Sequence, residues 1–201
     1  MAISSLLGCG LIADKIGDAI EDKLGELKTY DDFKEKAKNY SITLVSGNNV
    51  FTIKICEDAK LYENNSNITF FNIKEKKIYV LDKNAKTGYV YADEELQFDW
   101  ENQSSVEILL FPFEFVILFM KKGNKDKVAG RNCDIYTYEA QGTTARYWLD
   151  SEYGICLKYE ITNDDGTSSM EVTHFSVNTV TLQNIIDLSE YTIRDGGDFG
   201  A

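Results

Sequence analysis

Four cysteines, a single histidine and thirty-three carboxylates are the residues of this chain with the most obvious capacity for chemistry. Cys9, Cys56, Cys133 and Cys156 show no Cys-x-x-Cys spacing, which excludes a zinc ribbon. His174 sits in a strand-like run, Glu171-Val172-Thr173-His174-Phe175, with no second histidine to share a metal. The chain has no Gly-x-Ser-x-Gly turn for a serine nucleophile, and a Cys–His pair would depend on the fold bringing the two together. Asn163-Asp164-Asp165-Gly166 has the look of a calcium loop, but the position that should carry an acid, five before the glycine, is Ile161. It reads as a hairpin turn. Gly8-x-Gly10-x-x-Ala13 and Asp198-Phe199-Gly200 mimic dinucleotide-binding and kinase motifs without the strand or the companion residues those need. Paired carboxylates for glycoside chemistry have no distinctive setting. The expectation is a chain that is not an enzyme, has no cofactor and holds no metal.

Composition narrows the alternatives. The chain has 201 residues, enough to bury a sizeable core without a disulfide or metal. Its formal charge of −12 opposes binding to nucleic acid and to anionic lipid surfaces. The longest apolar run, Val106 to Phe119, contains Glu107, Pro112 and Glu114 and falls short of the roughly 20 residues of a membrane-spanning helix. The twelve tyrosines and eleven phenylalanines suit a β-rich fold.

From Asn39 onward the hydrophobic period is two. Ser41–Val45 and Val50–Ile55 flank a Gly/Asn turn and make a hairpin, and the pattern repeats at Lys60–Glu63, Ile68–Ile73, Lys77–Asp82 and Thr87–Ala92. It resumes at Lys127 and continues through Cys133–Tyr138, Ala145–Asp150, Ile155–Ile161 and Met170–Val177, with Asp187–Ile193 as one further strand. Short strands and tight turns leave no room for βαβ crossovers, so the sheet is antiparallel and up-and-down. The interruption at residues 103–122 is apolar on nearly all sides and is broken by Pro112. It reads either as buried core helix or as a helical lid over a hydrophobic hollow.

The amino-terminal region divides the same way. Leu6-Leu7-Gly8-Cys9 resembles the lipobox of bacterial lipoproteins, although only eight residues precede the cysteine and no basic stretch is among them. Acylation of Cys9 would anchor the chain at about 0.8 kcal/mol per buried methylene; the alternative is an ordinary buried thiol. Ile12, Ile16, Ala19, Ile20, Leu24 and Leu27 form a helical stripe opposite an acidic face, either a stalk or a packed helix. Thr29 and Asp32 then open a second short helix that carries Phe33 and Ala37 inward.

A leading helix, a meander, a helical insert and a second meander occur in the order found in LolA-like lipoprotein carriers and their RseB-type and LppX/LprG-type relatives. Val128-Ala129-Gly130, Arg146-Tyr147-Trp148-Leu149-Asp150, Tyr153-Gly154, Leu157-Lys158-Tyr159, Glu171–Phe175 and Asp187-Leu188 resemble that family's second-half pattern. The proline that the family often places before Leu-Lys is missing. The resemblance implies an α+β fold in which a curved antiparallel sheet forms an unclosed half-barrel, with an N-terminal helix and a mid-chain helical lid. Residues 1–28 would be the lipobox-like start and stalk, 29–193 the single domain with its insert at 103–122, and 194–201 a flexible tail. It also implies a domain that binds a lipid or the acyl chain of another protein; with the lipobox-like start, the expectation is an extracytoplasmic, membrane-anchored lipoprotein.

Residues expected to line the hollow are Leu109, Phe113, Val116 and Leu118 of the insert and Ile135, Trp148 and Leu157 of the sheet. If the turns set the registers, Ile135 lies beside Trp148 and Trp148 beside Leu157 on one face, with Tyr136, Tyr147, Leu149 and Cys156 on the other. Cys133 and Cys156 fall on opposite faces with one strand between them, about 10 Å apart at ~4.8 Å per strand. That is beyond the roughly 7 Å a disulfide spans, so reduced thiols are expected. The rival reading is a fully packed surface domain that binds an envelope protein and no ligand.

Overall fold

The computed structural model describes residues 30–92 and 120–198. Cys9, the Leu11–Leu27 stripe and the insert residues Leu109, Phe113, Val116 and Leu118 lie outside the described residues. One short helix, α1 (Tyr30–Lys36), where the second of the two expected helices falls, leads into two meanders. The first runs through β1 (Tyr40–Ser46), β2 (Asn49–Cys56), β3 (Ala59–Glu63), β4 (Asn67–Asn72), β5 (Lys77–Asp82) and β6 (Thr87–Ala92). The second runs through β7 (Lys121–Val128), β8 (Arg131–Ala140), β9 (Thr143–Asp150), β10 (Cys156–Asn163) and β11 (Gly166–Val177). β12 (Thr192–Asp198) ends the described chain.

These strands form one sheet in the order β12-β6-β5-β4-β3-β2-β1-β11-β10-β9-β8-β7, open at both edges. Its neighbours are antiparallel except β12, which lies parallel to β6. The two meanders join where β1 pairs with β11, Ile42 opposite Phe175. Local turn chemistry sets the hairpins. Ala129-Gly130 and Gln141-Gly142 are two-residue loops with both φ angles positive, the mirror-image turn whose twist matches that of the strands it joins.

Two departures from the sequence reading have clear causes. β7 starts at Lys121, six residues before the expected return of the meander. Its sequence, KKGNKDKV, shows no apolar alternation because it is an edge strand exposed along all but its last residue. At the other edge, Arg194–Asp198 belong to β12 and not to a flexible tail, while Leu188–Glu190 form a single 3-10 turn. Pairing with β6, about a hundred residues earlier in the chain, gives β12 its structure, and local sequence carries no trace of such a partner.

Each face of the sheet buries a core. On the face that carries Ile42, the residues Tyr40, Leu44, Ile53, Leu149, Cys156, Met170, Val172 and Phe175 are buried with Phe33 and Ala37 against them. On the opposite face of the first meander, Cys56, Ala59, Leu61, Ile68, Phe70, Tyr79 and Leu81 pack under Val180 and Ile185, which belong to the segment joining β11 to β12. Lys54 secures that cover by donating from its ammonium to the Ile185 carbonyl at 3.0 Å. Each fully buried side chain of this size contributes roughly 1.5–3 kcal/mol.

Candidate functional site

A single row of side chains crosses the Ile42 face. Paired residues run Phe175, Ile42, Ile53, Tyr62, Thr69, Val80 and Tyr89 from β11 through β1 to β6, one residue per strand. Exposure rises along it, from 0% at Ile42 and 2% at Ile53 to 36% at Val80 and 46% at Tyr89. Alternation puts Phe51 and Tyr91 on the same face, and Tyr91 stacks obliquely on Tyr89 with ring centres 6.4 Å apart. Tyr138 of β8, 39% exposed, also lies there.

A depression of 130 Å³ opens on this face between Phe51, Ile53, Tyr62 and Thr69, with Glu63, Asn64 and Asn67 at its rim. The rim is built from side chains that hold the hairpin tips. Asn65 accepts from Val50 N–H at 2.8 Å and donates to the Asn48 carbonyl at 3.0 Å, which ties the β1–β2 tip to the β3–β4 tip. Asn64 accepts from the Ser66 and Asn67 amides, and Lys83 pairs with Glu63. A second depression, 240 Å³, lies among Lys38, Asn39, Cys56, Glu57, Asp58, Lys74 and the Val180–Gln183 segment. Both are smaller than the ~300–1,000 Å³ of drug-sized ligand pockets.

The three expected sheet residues fall elsewhere. Ile135 does pair with Trp148, but both point away from the Ile42 side. Trp148 is paired with Lys158 and not with Leu157, because Leu157 is the extra residue of a bulge in β10. The Lys158 ammonium stands 5.1 Å from the centre of the indole ring, and its ion pairs with Glu160 and Glu171 hold it there. Leu157 is fully buried in the core. Tyr136, Tyr147, Leu149 and Cys156 share the Ile42 face, as the turns implied. The row from Tyr62 to Tyr89 went unnoticed in the sequence, although its signal, one aromatic or β-branched residue at the middle of each successive short strand, was present.

Cys133 and Cys156 are free and fully buried. Burial pushes the Cys133 thiol up to about 11 and the Cys156 thiol up to about 12, the reverse of what a nucleophile needs. His174 is exposed on the face opposite Ile42, paired with Thr43. Asp150, the acid of the Trp-x-Asp pattern, is buried and organises the β9–β10 turn. Its carboxylate accepts from Arg131, from Glu152 N–H at 3.0 Å and from Tyr153 N–H at 2.7 Å. Arg131 in turn lies over the rings of Tyr153 and Phe175, at 5.0 and 5.1 Å. Phe33 meets Tyr153 edge-on in the same cluster. Among the described residues no group of three or more His, Cys, Asp or Glu side chains could hold a metal ion, and no helix is long and apolar enough to cross a membrane.

No family model matches the chain, and no curated protein matches it. Solved structures do. An uncharacterized conserved protein from Thermus thermophilus matches with TM-score 0.42 and 10% identity, over 91% of this chain and 98% of that one. MucB in the Pseudomonas aeruginosa MucA/MucB complex matches with TM-score 0.39 and 14% identity, over 86% of this chain and 62% of that one. A putative outer membrane lipoprotein-sorting protein domain from Vibrio parahaemolyticus matches with TM-score 0.29 and 12% identity, over 82% of this chain and 96% of that one.

Proposed function

We propose that this chain is a non-catalytic binding domain of the cell envelope that holds an apolar ligand, a lipid or the acyl chain of a lipoprotein, against the Ile42 face of its open sheet. The observation behind this reading is the graded row. Three of the four exposed large apolar side chains among the described residues, Val80, Tyr89 and Tyr138, lie on the Ile42 face. Apolar surface gathered on one face marks a binding surface more often than apolar residues scattered singly. Burial alone supplies the affinity, at about 0.8 kcal/mol per methylene before ordering costs. The lipobox-like Leu6-Leu7-Gly8-Cys9 supports anchorage at the outer side of a membrane through an acylated Cys9.

The test is displacement of a fluorescent fatty acid from the full chain, alongside native mass spectrometry of protein extracted from cells. Binding that weakens at least tenfold in Val80→Asp and Thr69→Asp, with the fold retained, is expected. Failure to bind the probe, or binding indifferent to both changes, overturns the reading. The 130 Å³ depression favours a second reading, in which an apolar segment of an envelope protein is held on the same face. Loss of partner capture in those two variants, without any lipid binding, would establish it.

A further inference from the structure

The edge strand β7 concentrates positive charge in a chain whose formal charge is −12. Lys121, Lys122, Lys125 and Lys127 fall within seven residues, against one aspartate. That aspartate, Asp126, is engaged: it accepts from the Lys127 amide at 2.7 Å and the Trp148 indole at 3.1 Å. Asp134 of β8 faces the strand and lies 3.7 Å from Lys122. Every residue of β7 except Val128 is exposed. By register with Tyr136, Asp134 and Asn132, the side chains of Lys122, Lys125 and Lys127 stand on the Ile42 side.

We propose that β7 is a docking edge for an anionic phospholipid surface. Lysines do protect sheet edges against pairing with other strands, but the opposite edge here is not built that way. β12 carries Arg194 with Asp195, two glycines and Asp198. An acidic peptide added as a further strand would need a regular ladder, and the β7 register breaks between Lys122 and Lys125 around Gly123 and Asn124. A headgroup layer makes no such demand, and flexible lysine point charges suit it. The net negative charge opposes approach at long range but does not decide contact, because charges farther away than about 8 Å are largely screened at physiological salt. Local charge decides. The inference goes beyond the apolar-ligand reading and does not depend on it.

Sedimentation of the full, unacylated chain with vesicles tests the proposal, using phosphatidylcholine alone and phosphatidylcholine with one third phosphatidylglycerol. The chain should bind only the anionic vesicles, and more weakly as salt rises. K121Q/K125Q/K127Q should lose about a hundredfold in affinity, roughly fivefold for each lysine. K121R/K125R/K127R and the distant K38Q/K74Q should retain binding. No binding to anionic vesicles, equal binding to neutral ones, or an unaffected triple glutamine variant overturns the proposal. So does capture of an acidic peptide without vesicle binding. Fatty-acid displacement by the triple glutamine variant should match that of the unmodified chain, which separates this test from that of the ligand reading.

Discussion

The indole N–H of Trp148 donates to the Asp126 carboxylate at 3.1 Å, so that β9 reaches across β8 to hold the edge strand β7. Trp148 thereby clamps the edge on the face opposite Ile42, with Lys158 over its ring.

Asp126 reports on that clamp. The Lys127 amide and then the Trp148 indole hold its carboxyl below the usual aspartate value of 3.8. A depressed folded-state value means the stabilisation is complete above the unfolded value and is lost as pH falls through the lowered one. The Trp148 indole N–H resonance should therefore titrate with a midpoint below 3.8, and Asp126→Asn should abolish the titration. A midpoint at or above the ordinary value would contradict the clamp.

Removing the Asp150 carboxylate leaves Arg131 short of its main partner and two turn amides unpaired. Asp150→Ala should cost roughly 2–4 kcal/mol in urea unfolding, with Asp150→Asn costing less. A loss below about 1 kcal/mol would show that the turn does not depend on it.

A methyl group at Gly88 would lie 2.4 Å from Leu81 Cδ2 and 2.7 Å from the Val80 carbonyl oxygen. The carbonyl is backbone and cannot step aside, so Gly88→Ala should destabilise by about 1–3 kcal/mol and loosen β6. Faster amide exchange across β5, β6 and β12 is the expected signature, and unchanged exchange would refute it.

Cys133 and Cys156 should resist alkylation at pH 8 in the native state and react only at the rate of opening, as read by mass mapping. Their raised values also set a sign. The stabilisation from the neutral thiols is complete below the unfolded value of 9.0 and fades as pH rises toward about 11 and about 12. Stability that stays constant from pH 9 to 11 would argue against their burial.

Strands with alternation and flanking turns were legible in the sequence to within a residue or two, except β11, which starts four residues before the expected Met170. Lys77–Asp82 and Thr87–Ala92 match β5 and β6 at both ends. The Ala140–Thr143 turn placed Ile135 opposite Trp148 because a two-residue loop transmits register directly. Beyond Trp148 that inference failed. The bulge at Leu157 adds one residue, and one residue is enough to exchange Leu157 for Lys158 as the neighbour of the indole.

By itself the sequence determined the meanders and the antiparallel pairing within them, because alternation and turn residues act over a few positions. Tertiary structure alone decided that β1 joins β11, that β12 runs parallel to β6, and that the segment after β11 covers the Leu61 face. Those pairings close loops of about a hundred residues or more. Their choice rests on which apolar surfaces remain uncovered once the local hairpins have formed, a quantity that no short stretch of sequence contains.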